Sequence, residues 1–149
     1  EIRLSLVGSE MCIRDSASFA HGFATGGTFG FSCDLSAYPE KYKKEVKSII
    51  SAYKKDREFF RTAEARILCD AENLTVLQYS DKNAEKCIVQ IFTKTVNQER
   101  FIVYPIVDKG CNYIFNDVLL SGKEISENGI ILSEVKPFSC KTLSFDKKT

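Results

Sequence analysis

The hydrophobic pattern divides the chain into a helical stretch and a long run of strands. Tyr42, Val46, Ile49, Ile50, Tyr53 and Phe60 recur at spacings of three and four or their sums, the signature of one apolar helix stripe. This predicts an amphipathic helix over about 39–60. Pro39 suits the first helical position and Glu40 the first turn. Val46, Ile49, Ile50 and Tyr53 are expected to be buried. Lys43, Lys44, Lys47, Lys54 and Lys55 fall mostly on the other faces, interleaved with Glu45, Asp56 and Glu58. That mixture reads as a solvated outer surface rather than an anion-binding one.

From Ala65 the period changes to two. Strands are predicted at 66–69, 74–79, 86–95, 101–104, 112–115, 117–120, 130–133 and 138–145, rich in Val, Ile, Tyr, Phe and Thr. Turn chemistry separates them at Ser80-Asp81-Lys82-Asn83, Val96-Asn97-Gln98-Glu99, Lys109-Gly110, Ser121-Gly122 and Asn128-Gly129. Strands every 8–12 residues, with no second helix, imply an antiparallel β-sandwich of about eight strands. Before the helix, residues 23–32 alternate small and aromatic side chains and read as one further strand, packed closely at its glycines.

Residues 1–16 share no pattern with the rest of the chain. Leu6 to Asp15 resembles translated sequencing-adapter DNA, so 1–16 is read as a disordered artefact and excluded from the fold. With Glu1 in first place and Met11 the sole methionine, a truncated reading frame is expected. The organisation expected is 1–16 artefact, 17–62 strand and helix, and 63–149 sandwich. No stretch reaches the roughly 18 apolar residues of a membrane span.

Twenty-one basic residues balance 20 acidic ones, for a net charge of +1. That gives no electrostatic reason to expect nucleic acid or an anionic membrane as partner. Beyond Cys12, the cysteines Cys33, Cys69, Cys87, Cys111 and Cys140 are widely spaced and form no C-x-x-C pair. Zinc and dithiol redox chemistry are thereby excluded, and the cysteines read as small buried hydrophobes in a reducing, cytoplasmic compartment. The sequon Asn73-Leu74-Thr75 reads as chance.

The segment Gly26-Gly27-Thr28-Phe29-Gly30-Phe31 is glycine-rich but is no phosphate loop. No Gly-Lys-Ser/Thr follows it, and the G-x-G-x-x-G spacing is not met. His21 has no His or Cys at ligand spacing, and no G-x-S-x-G occurs. The acidic residues fall on turns and on the helix exterior, with no pair singled out for glycoside chemistry. Catalytic, cofactor-binding and metal-binding residues are therefore all assigned as none, and no cofactor is expected. Tyr38, Tyr79, Tyr104 and Tyr113 are the candidates for a sugar-stacking platform, against half-buried core roles.

The order of motifs resembles the C-terminal end of glycoside hydrolase family 36 α-galactosidases. That family carries R-G-x-x-A-x-x-G-T-F-G-Y-E-L-D-L at the close of its barrel; here it stands as His21-Gly22-Phe23-Ala24-Thr25-Gly26-Gly27-Thr28-Phe29-Gly30-Phe31-Ser32-Cys33-Asp34-Leu35. Tyr53-Lys54-Lys55-Asp56-Arg57 resembles the family's helix end. Ser121-Gly122-Lys123-Glu124-Ile125 and Gly129-Ile130-Ile131-Leu132 resemble late sandwich motifs. His21 stands for Arg, Phe31 for Tyr, and Ser32-Cys33 for Glu-Leu. The resemblance covers about residues 20–145.

It implies that 17–62 is the last strand and helix of a truncated (β/α)8 barrel and 63–149 an accessory sandwich. The parent would be a retaining enzyme acting on terminal α-galactosides of the melibiose and raffinose type, with an aspartate nucleophile and an aspartic acid/base. Both aspartates would precede this chain, leaving the fragment itself inactive. Its partner would be the upstream barrel domain, and the parent could form a homo-oligomer. The alternative is a free-standing β-sandwich that binds carbohydrate or protein.

Overall fold

The computed structural model describes residues 36, 38–93 and 98–148. The predicted strand at 23–32, the glycine-rich junction and residues 1–16 lie outside them. Helix α1 (Glu40–Thr62) is followed by β1 (Glu64–Ala71), β2 (Leu74–Ser80), β3 (Lys86–Thr93), β4 (Gln98–Val103), β5 (Asn112–Phe115), β6 (Val118–Ser121), a short helix α2 (Gly122–Asn128), β7 (Ile130–Val135) and β8 (Ser139–Lys148).

One sheet has six antiparallel strands in the order β1-β2-β3-β8-β5-β6, and a second pairs β4 with β7. Along each strand alternate side chains share a face. Register sets Val76 opposite Ile91, and Val89 opposite both Gln78 and Leu143. Val76, Val89, Ile91, Leu143 and Phe145 thus present one apolar face. Val103, Ile130, Leu132 and Val135 of the smaller sheet join them in one buried cluster. This is the predicted β-sandwich, with sheets of unequal size.

Strand β3 is the centre. After Lys86 every residue is buried, on both faces. Cys87, Val89 and Ile91 belong to the cluster between the sheets. Ile88, Gln90 and Phe92 point the opposite way and are equally buried. Helix α1 meets the sheet through its last turns. The Phe60 ring lies edge-on to Tyr79 at 5.0 Å, and Lys86 Nζ lies 2.6 Å from Asp56 Oδ1 and 5.3 Å from the Phe59 ring centre. Of the predicted stripe, Val46 is 3% exposed; Ile49, Ile50 and Tyr53 are half-buried.

Two expectations are corrected. The strand predicted from Asp117 begins at Val118, because Asn116 and Asp117 both adopt positive φ (49° and 63°) and form the two-residue turn between β5 and β6. Two left-handed residues match the twist of the flanking strands, and Asn and Asp tolerate that conformation best after glycine. Second, Ser121-Gly122 opens a helix rather than a turn. The Ser121 hydroxyl accepts from Glu124 N–H at 3.1 Å, and Glu124 Oε2 accepts from Ser121 N–H at 2.9 Å. This reciprocal capping box satisfies amides that a seven-residue helix would otherwise leave open. Ordered donors also hold the Glu124 carboxyl below its ordinary range.

Gly122 is a packing requirement. A Cβ there would fall 2.0 Å from the Asp108 carbonyl oxygen. Gly122→Ala should therefore destabilise the chain by about 1–3 kcal/mol through overpacking. Ser121→Ala should cost about 1 kcal/mol through the lost cap. Urea unfolding of both variants checks this; a Gly122→Ala midpoint equal to wild type would mean that α2 does not rest on Asp108.

Candidate functional site

An open pocket of about 360 Å³ lies where the β1 and β2 edge meets the chain after β4. Register builds one wall, since Glu64 pairs with Ser80 and Arg66 with Gln78, placing all four side chains on one face. Asp81, Lys82 and Ala84 come from the β2–β3 loop, and Ile106, Val107 and Asp108 from the segment between β4 and β5.

Gln78 fixes the opposite wall. It is 1% exposed, yet its amide bonds are met. Nε2 donates to the Ile106 carbonyl at 2.7 Å and to Ser80 Oγ at 2.9 Å, and Oε1 accepts from Ile106 N–H at 2.8 Å. The side chain thus pairs with Ile106 as a neighbouring strand would. Two residues on, Asp108 forms a tight turn: Oδ1 accepts from Gly110 N–H at 2.9 Å and Oδ2 from the Cys111 thiol at 3.2 Å. Asp108 N–H donates to the Tyr113 hydroxyl at 3.1 Å, and that hydroxyl donates to the Ala84 carbonyl at 3.2 Å. The Gly110 amide, Cys111 and the nearby Lys147 ammonium hold the Asp108 carboxyl below its usual value.

Asp81 and Glu64 are committed too. Asp81 accepts from Glu85 N–H at 2.8 Å and Lys86 N–H at 3.1 Å, closing the β2–β3 turn. Glu64 lies 3.7 Å from Arg66. Among the described residues no group of three His, Cys, Asp or Glu side chains could hold a metal. The pocket brings together mixed donors and acceptors beside the aliphatic Ala84, Ile106 and Val107.

The four tyrosines weighed from sequence separate clearly. Tyr79 is buried beneath Phe60, and Tyr113 is fully buried. Tyr38 stacks on Tyr42 at 4.9 Å. Tyr104 remains 53% exposed. His21 and Cys33 lie outside the described residues. Cys69, Cys87, Cys111 and Cys140 are free thiols. Cys87 alone of these is fully buried, and burial pushes its thiol up to about 12. No described helix is long and apolar enough to cross a membrane.

Sequence reasoning missed Gln78 and the Asp108 turn. A signal existed for the second: Asp108-Lys109-Gly110 has the Asx-turn pattern, in which a carboxylate accepts from the amide two residues on. Gln78 gave none, because its value lies in a partner 28 positions away.

No family model matches the sequence, and no curated protein matches it. Solved structures do. The α-galactosidase from Lactobacillus brevis aligns with a TM-score of 0.83 at 16% identity, over 97% of this chain and 22% of that one. The family 36 α-galactosidase AgaA from Geobacillus stearothermophilus, a variant in complex with stachyose, aligns at 0.82 and 17% identity over 99% of this chain and 21% of that one. A further AgaA variant, in complex with raffinose, gives 0.77 and 17% over 86% and 19%. The chain thus spans about a fifth of the length of these proteins, and at such identity the likeness is one of fold.

Gln78→Leu should cost about 1–3 kcal/mol, because both backbone groups of Ile106 lose their buried partner; chemical denaturation measures it. The Asp108 turn carries a pH dependence. Its folded-state carboxyl sits below the usual 3.8, so the stability it contributes is present above that value and is lost as pH falls through the lower folded value. The Gly110 amide resonance should therefore titrate below pH 3.8, and should not titrate in Asp108→Asn.

Proposed function

We propose that this chain is the C-terminal region of an α-galactosidase of glycoside hydrolase family 36, with the sandwich accessory to an upstream catalytic barrel. The TM-score of 0.83 over 97% of the chain carries this reading. The likeness of residues 21–35 and 53–57 to the family's junction supports it independently. In this reading 17–62 supplies the last barrel strand and helix, and 63–149 is the accessory domain. The parent acts on terminal α-galactosides; raffinose and stachyose in the structures of AgaA variants support that class. The four described free thiols support a reducing, cytoplasmic setting.

Three described carboxylates support an accessory role. Glycoside hydrolysis needs two carboxyls about 5–9.5 Å apart astride the bond that breaks. Asp81 and Asp108 instead spend their oxygens on backbone amides and a thiol, and Asp56 on Lys86. The contribution of this region is mechanical: it holds the final barrel helix against a stable sandwich.

Two measurements test this. The isolated chain should release no galactose from melibiose or a chromogenic α-galactoside, and turnover by the chain itself would overturn the accessory role. The genomic sequence before codon 17 should continue in frame into a barrel bearing two catalytic aspartates. A different domain there would sink the assignment.

A further inference from the structure

The geometry points to a sugar-binding site on the sandwich itself, formed by Tyr104 and the Gln78–Ile106 pocket. Pro105 is fully buried, while Tyr104 and Ile106 on either side of it are 53% and 54% exposed. Ile106 lines the pocket, and Tyr104 precedes it by two residues. The ring lies over Gly129, where an added Cβ would fall 3.0 Å from Tyr104 Cε1. At Ile106 both backbone polar groups are held by the buried Gln78 amide.

The pocket's chemistry selects the ligand class. Glu64, Asp81 and Asp108 face Arg66 and Lys82, and this excess of carboxylates repels an anion. A cation finds little, because Asp81 and Asp108 already serve backbone amides and Glu64 lies beside Arg66. A purely apolar ligand would strand those charges. A neutral sugar meets every condition. Its hydroxyls both donate and accept, matching Arg66 beside Glu64, and its C–H face stacks on an exposed aromatic ring. This site holds or fails independently of the family assignment.

The test is an NMR titration of the full ¹⁵N-labelled chain with melibiose, raffinose and maltose at millimolar concentrations. Saturable shifts should gather on the amides of Arg66, Tyr104, Ile106, Val107 and Asp108. Tyr104→Ala should weaken binding about tenfold or more with an unchanged melting temperature, and Tyr104→Phe should retain it. Preference for maltose would support the site while counting against galactoside specificity. A folded chain that shows no saturable shift with any of the three sugars, or shifts that survive Tyr104→Ala, would overturn the inference.

Discussion

A buried side-chain amide is tolerable only when its donors and acceptor are met, and Gln78 meets that condition with a single backbone residue. Nε2 and Oε1 of Gln78 hold both polar groups of Ile106, which lies in neither sheet. The consequences run outward from there. Ile106 sets the path to Asp108, whose carboxylate closes the turn at Gly110 and whose amide rests on Tyr113. The Asp108 carbonyl is the surface on which Gly122 starts α2. Gly122 N–H in turn donates to the Cys111 carbonyl at 2.7 Å. One strand residue thereby positions the link from β4 to β5, the short helix and the pocket wall.

The seam between α1 and the sheet is of another kind. Lys86 and Asp56 are each a quarter exposed, and the lysine also lies over Phe59. Pairs of this exposure contribute little net energy, about 1 kcal/mol or less. The Phe60–Tyr79 contact adds aromatic burial at the same end of the helix. Orientation is thus set by a few directional contacts beside one another, while Val46, three turns earlier, is buried away from that seam. One end of the helix is thereby registered on the sandwich.

The sheet was largely legible in the sequence because two faces of water and core impose a period of two. β5 was predicted at its observed bounds, and β2 and β3 from their correct first residues. What was illegible depended on groups distant in sequence or on signals read with the wrong partner. Ser121-Gly122 looked like a turn because glycine follows serine, yet Glu124 three residues after Ser121 completes a capping box. The bulge between Ile67 and Cys69 leaves no local mark, since it arises from pairing with β2. Of the site, the tyrosine candidates were visible, but their separation into buried and exposed required the register. Tyr113 sits opposite Leu120 and Lys147 in the sheet interior, whereas Tyr104 follows the last paired residue of β4.

That position explains why Tyr104 is the tyrosine left in water. A residue within a ladder is covered by its cross-strand and diagonal neighbours. One step past the ladder those neighbours end, and burial must come from elsewhere. Here the facing residue is Gly129, which has no side chain to offer and whose positive φ of 69° carries the chain into β7. The same glycine that makes the connection possible leaves the ring uncovered. Filling that space would require a Cβ only 2.6 Å from Ile102 Cγ2 and 2.7 Å from the Val103 carbonyl. Exposure of the ring is therefore a consequence of how β7 begins, and a side chain at 129 could not remove it without displacing β4.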